Sequence, residues 1–138
     1  MSPIRVVALA HISAGRLLLV RSSGKDGFYL PGGKPDPGES DLETLAREIR
    51  EELDCDVDPS TLVYYTTTTA QAFAKPRGVL VAVTTYRGNL IGVPRPTSEV
   101  VELRYFSLAD YLEMPSRAPA AEALLRHLAG QGLVVDRS

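Results

Sequence analysis

Glu48, Glu51 and Glu52 stand three and four residues apart. On a helix, with about 100° of rotation per residue, that spacing gathers three carboxylates on one side. Like charges so placed repel each other in an isolated helix, and Arg47 and Arg50 relieve this only in part. Two chemistries fit the pattern. One is a plain solvated acidic face. The other is a site for a hard divalent cation, because Mg²⁺ takes oxygen ligands and keeps waters that a phosphate can displace. The helix alone does not choose between them. Gly32 and Gly33 lie just before it, between Pro31 and Lys34, and Glu39 closes the same loop. A glycine pair can aim backbone N–H and C=O groups at a ligand without side-chain obstruction. A Gly/Pro loop beside an acidic helix suits a metal–pyrophosphate complex.

The elements that must hold these residues can also be read. Ser40-Asp41-Leu42-Glu43 is a capping box. It opens a helix expected to run to about Leu53, with Asp54 as its stop because Asp tolerates left-handed geometry. Leu42, Leu45, Ala46, Ile49 and Leu53 share an arc of roughly 100° and are the expected core face. Upstream, residues 3–12 and 16–21 are β-rich runs around a polar break at 13–15, a hairpin signal. Residues 22–27 form a polar loop, and Phe28-Tyr29-Leu30 is a short apolar piece. Residues 31–38 can be neither helix nor central strand. Residues 61–72 and 78–87 read as strands, 87–98 as mostly loop and 100–106 as a strand. Residues 108–113 read as a short helix. Residues 118–129 read as an amphipathic helix, with Pro119 early and Gly130 at its end. Strands interleaved with two substantial helices predict an α/β (α+β) fold, a mixed β-sheet covered on its faces by helices.

Gly33, five residues, Glu39, seven residues, then Arg47-Glu48-Ile49-Arg50-Glu51-Glu52-Leu53 resembles the Nudix box of MutT-like hydrolases. The family continues with Gly and an aliphatic residue, where this chain has Asp54 and Cys55; a buried Cys behaves as a small hydrophobe. The likeness extends to residues 28–33 and to 102–106 with the segment that follows. The resemblance implies the Nudix fold, an α/β/α sandwich. It implies Mg²⁺-dependent hydrolysis of a phosphoanhydride bond in a nucleoside-diphosphate-linked substrate, with Mn²⁺ able to substitute. Glu51 and Glu52 resemble the main metal ligands, and Glu48 a further ligand or the base that activates water. The Gly32 carbonyl resembles a backbone ligand. Arg47 and Glu39 look like the pair bracing helix to loop. Glu99 or Glu102 would add a later carboxylate, and the sequence leaves both open.

The remaining residues set bounds. The 138 residues fit one domain spanning 1–138, with no repeat or interdomain linker. The formal net charge of −2, with scattered Lys and Arg, excludes the basic stripe of a nucleic-acid binder. A small-molecule nucleotide or related diphosphate is the expected partner. Residues 4–10 are too short an apolar run for a membrane span, and the single Cys55 forbids an intrachain disulfide, so a cytoplasmic monomer or homodimer is expected. Arg5, Arg21, Lys25, Lys34 and Arg77 are candidates for substrate phosphates, each with a solvated surface role as the alternative. Phe28, Tyr29 and Phe73 are candidates for base stacking, with core packing as the alternative. His11 and His127 have no metal-ligand spacing and read as structural. A nucleoside di- or triphosphate is the expected substrate. ADP-ribose or nucleotide-sugar cleavage, and a non-catalytic nucleotide-sensing module, are the alternatives; the full acidic set and the lack of room for a second domain weigh against the sensor.

Overall fold

The computed structural model describes residues 2–137. Its elements in chain order are β1 (Ile4–Ala10), β2 (Ile12–Ser13), β3 (Arg16–Ser22), β4 (Gly32–Gly33), α1 (Asp41–Leu53), β5 (Asp56–Val57), a 3₁₀ turn (Pro59–Thr61), β6 (Val63–Gln71), β7 (Leu80–Arg87), β8 (Leu90–Ile91), β9 (Val100–Phe106), α2 (Leu108–Leu112) and α3 (Pro119–Gly130). One mixed ladder has the order β4-β1-β7-β6, with β1 and β7 parallel. A second ladder is β2-β3-β9, and β5 pairs with β8.

Strands β1 and β3 read as continuous apolar runs because both of their faces are covered. Val7, Leu9, Leu18 and Val20 pack with Leu45, Ile49 and Leu53 of α1. Ala8, Ala10, Leu17 and Leu19 face the other way, against Leu124, Leu125 and Leu128 of α3. The result is the expected helix-covered mixed sheet, a three-layer Nudix-type arrangement.

Three expectations change. The run 3–12 does not form one arm of a hairpin with 16–21. Both edges of β1 are filled by β4 and β7, so only Ile12–Ser13 is left to pair with β3. The loop at 87–98 contains β8, which pairs with β5 directly after α1. The core face of α1 is also rotated. Leu42 is 46% exposed and Ala46 is exposed, whereas Thr44 and Glu52 are buried with Leu45, Ile49 and Leu53. The helix turns its acidic edge inward. Leu45, Ile49 and Leu53 each supply roughly 1.5–3 kcal/mol of burial, enough to seat a helix that also buries a carboxyl group.

Both ends of α1 match the expectation. Ser40 accepts from the Glu43 N–H at 3.1 Å and Glu43 accepts from the Ser40 N–H at 2.9 Å. Asp54 is left-handed at φ 51° and closes the helix onto the Arg50 carbonyl.

Candidate active site

Strand β4 is two glycines paired with β1, Val7 opposite Gly33 and Ala8 opposite Gly32. Gly32 has φ 142°, and a Cβ there would lie 2.1 Å from the Val7 carbonyl oxygen. A Cβ on Gly33 would lie 2.4 Å from the Glu48 carboxyl carbon. The missing side chains let α1 close on the loop until the Glu48 carboxyl touches its backbone. Glu52 reaches the same strand, where its Oε1 accepts the Gly32 N–H at 3.1 Å.

Glu52 is 7% exposed. Burial pushes its proton affinity well above the usual carboxylate range, the Gly32 N–H opposes this, and the charges of Glu48 and Glu99 add to the rise. Burial also raises the Tyr29 phenol; its bond to Ser22 pulls the other way, and Glu52, Glu99 and Glu48 add to the increase. These four residues therefore share one neighbourhood, where Arg47 reaches Glu48 but the buried Glu52 carboxyl is left in need of further positive charge. A hard cation would supply it, and oxygen donors are what such a cation takes. Among the described residues, no three His, Cys, Asp or Glu side chains are gathered as a ready-made metal cluster. Glu48 and Glu52 converge, while Glu51 lies 3.5 Å from Arg47 and Glu99 is exposed on the opposite loop.

Arg47 fastens the loop to the helix. It donates to both Glu39 oxygens, at 2.8 and 2.9 Å, to Glu48 at 2.9 Å and to the Lys34 carbonyl at 3.1 Å. Asp36 lies 3.2 Å from the same guanidinium. Glu39 also accepts the Asp36 N–H and the Thr44 hydroxyl. Arg47 first, then the Asp36 N–H, hold the Glu39 carboxyl down at about 2.

The two later carboxylates separate. Glu102 alternates with Leu103, which packs on the α1 side, and instead meets Arg21 at 3.1 Å. Glu99 follows the loop that covers the end of α1, where Thr97 donates to the Glu52 carbonyl at 3.1 Å. The Glu99 carbonyl accepts from Ser23 at 3.2 Å.

Beside the carboxylates is a cavity of about 320 Å³. Its wall is apolar, with Val6, Ala8, Leu30, Val81, Val83 and Ala121. Lys25, Lys34 and Lys75 stand around it, and Tyr29 and Phe73 line it. Of the candidates from sequence, Lys25, Lys34, Tyr29 and Phe73 are thus together. Phe28 is 2% exposed and packs edge-on against Phe106, so it takes the core reading. Arg21 is engaged by Glu102, Arg77 is exposed on the β6–β7 turn, and neither lines the cavity. Arg5 pairs with Asp41 at the start of α1.

The sequence model of the NUDIX domain matches residues 1–128. The chain belongs to the Nudix family. Its relatives agree with the fold. A protein of Stutzerimonas stutzeri (strain A1501), described as NAD-capped RNA hydrolase NudC, is 29% identical over 132 residues. That match covers 91% of this chain and 43% of the relative, so the chain spans less than half the length of that curated protein. The E. coli ORF135 protein superposes with a TM-score of 0.74 at 26% identity, over 96% of this chain and 92% of its own. A MutT NUDIX hydrolase from Burkholderia pseudomallei gives 0.73 at 25% identity, over 91% and 98%. No helix among the described residues is long and apolar enough to cross a membrane.

Sequence reasoning about this Nudix site missed Asp36, Thr44, Gln71 and Lys75. Asp36 and Thr44 had a local signal, since they stand three residues before Glu39 and four after Ser40, within reach of the cap. Gln71 and Lys75 had none; the β6–β7 turn brings them to the cavity only in the folded chain.

Proposed function

We propose that this Nudix hydrolase cleaves a phosphoanhydride bond in a nucleoside di- or triphosphate, with Mg²⁺ as cofactor and Mn²⁺ able to replace it. The observation that carries this reading is the junction of two features. Glu48 and Glu52 converge on the Gly32–Gly33 backbone, and the apolar cavity opens beside them with Tyr29 and Lys34 at the boundary. A diphosphate at the carboxylates would leave its organic part in the cavity. Three lysines and no acid line that cavity, as a polyanionic substrate requires.

Glu48, Glu51, Glu52, the Gly32 carbonyl and Glu99 would hold the metal, which supplies neutralising charge at the phosphates. The chain's own residues do the rest. Arg47 and Glu39 keep the loop closed on α1. The glycine pair lets backbone approach the diphosphate. Lys34 meets its outer charge. Glu48, at the open side of the pair, takes the proton of the attacking water, while Glu52 stays buried. Positioning and charge neutralisation supply most of the rate in such phosphoryl chemistry. A cytoplasmic site of action and a single domain are part of this reading.

The test is phosphate and pyrophosphate release from a nucleotide panel, with and without Mg²⁺, followed by oxygen-18 water labelling to locate the attacked phosphorus. Tight nucleotide binding with no Mg²⁺-dependent turnover would replace the enzyme reading by a sensor. The likeness to a protein described as an NAD-capped RNA hydrolase supports a second reading, cleavage of a dinucleotide-type or nucleotide-sugar diphosphate, so ADP-ribose, NAD and a nucleotide sugar belong on the panel.

A further inference from the structure

The cavity beside the carboxylates has few uncharged polar side chains on its lining, and Gln71, Ser22 and Tyr29 are each engaged within the fold. Gln71 donates to the carbonyls of Ala72, Lys75 and Pro76, and its carbonyl oxygen accepts the Gly78 N–H at 2.9 Å. Its amide stitches the β6–β7 turn. Ser22 and Tyr29 bond to each other, at the end of the cavity where Tyr29 meets the charges of Glu48, Glu52 and Glu99. The three lysines are exposed. The backbone of β1 and β7 along the wall is consumed by their parallel pairing, and the Ala72 N–H is bonded to Val79. Phe73 lines the cavity, and its ring packs against Gly27, where a Cβ would lie 2.4 Å from it.

We infer that this cavity holds the organic part of the substrate by apolar contact alone, without reading hydrogen-bonding edges, so that the hydrolase selects by shape and by phosphate. This rests on the proposed site of diphosphate cleavage. The physical distinction is large. A pocket built to hydrogen-bond its ligand rejects an analogue lacking those groups by about 10⁴–10⁵-fold, whereas apolar pockets discriminate by about 10–200-fold.

The experiment compares kcat/KM for three compounds with Mg²⁺: thymidine triphosphate, its analogue carrying the non-polar isostere difluorotoluene, and phenethyl triphosphate. The isostere is expected to be cleaved within about 200-fold of thymidine triphosphate. A larger loss overturns the inference and points to the backbone of Phe73 and Ala74 as the reader, with the proposed function intact. Cleavage of phenethyl triphosphate without cleavage of the nucleotide would sink the nucleotide reading and keep the inference. Cleavage of none of the three would sink both.

Discussion

In the metal-free protein at neutral pH, Glu52 is expected to hold a proton that an exposed glutamate would lose. Its folded proton affinity is raised above the ordinary value of 4.5. The folded chain therefore keeps a proton that the unfolded chain gives up as pH climbs. The stability tied to this group is complete below about 4.5 and declines as pH rises toward the elevated folded value. Glu39 has the opposite sign: held down at about 2, it contributes stability above its ordinary 4.5 that is lost as pH falls toward 2. Glu52→Gln is accordingly expected to melt no lower than the parent at pH 5 and higher at pH 8, both without metal. The same variant should lose kcat by orders of magnitude, and a folded, fully active Glu52→Gln protein would refute its metal role. At Glu48, loss of the base should cost about 10²–10⁴-fold. Gly33→Ala places a methyl group on the Glu48 carboxyl carbon; about 10²-fold loss in kcat with an unchanged circular dichroism spectrum is expected for a displacement of that size.

The ends of α1 give the element-scale tests. Ser40→Ala removes one half of the capping box and should cost about 1 kcal/mol in urea unfolding. Asp54→Gly should stabilise by roughly 0.5–1 kcal/mol, since the left-handed cap suits glycine better. These ends were legible because Ser40, Glu43 and Asp54 act over one helical turn. The roll of the helix was not. Leu42 and Ala46 are as apolar as Leu45, and periodicity places them on the same face. Their exposure follows from Glu48 and Glu52 being drawn to the glycine strand, a contact made across the fold. Likewise β8 is two residues that pair with β5, so no local pattern announces it. Glu48, Glu51 and Glu52 were legible as a set from spacing alone. That Glu102 is taken up by Arg21, while Glu99 lies ahead of β9, depends on the pairing with β3 and on a register shift between Arg21 and Ser22, which the residues 99–102 do not reveal.

Across the whole molecule, the site draws on both layers. The carboxylates belong to the α1 side, while the cavity is walled by β1, β7 and the start of α3. Tyr111 holds that start in place. Its buried hydroxyl donates to the Phe28 carbonyl at 2.7 Å and accepts the Ala118 N–H at 2.8 Å, and Ala118 lines the cavity. Tyr111→Phe should destabilise by about 1–3 kcal/mol, read by thermal melting, and should raise KM more than it lowers kcat. A divalent cation at the paired carboxylates should raise Tm more at pH 8 than at pH 5.5, and EDTA should reverse this. Equal shifts at both pH values would place the cation elsewhere.

The single guanidinium of Arg47, shared between Glu39, Glu48 and the Lys34 carbonyl, has a consequence for anyone wishing to move this chemistry to another scaffold. The helix is not a portable module. Grafted by itself it would bring an acidic surface with no partner for the arginine and no glycine backbone to receive Glu52. The smallest transferable cassette runs from Tyr29 through Cys55 and needs a host strand in the position of β1.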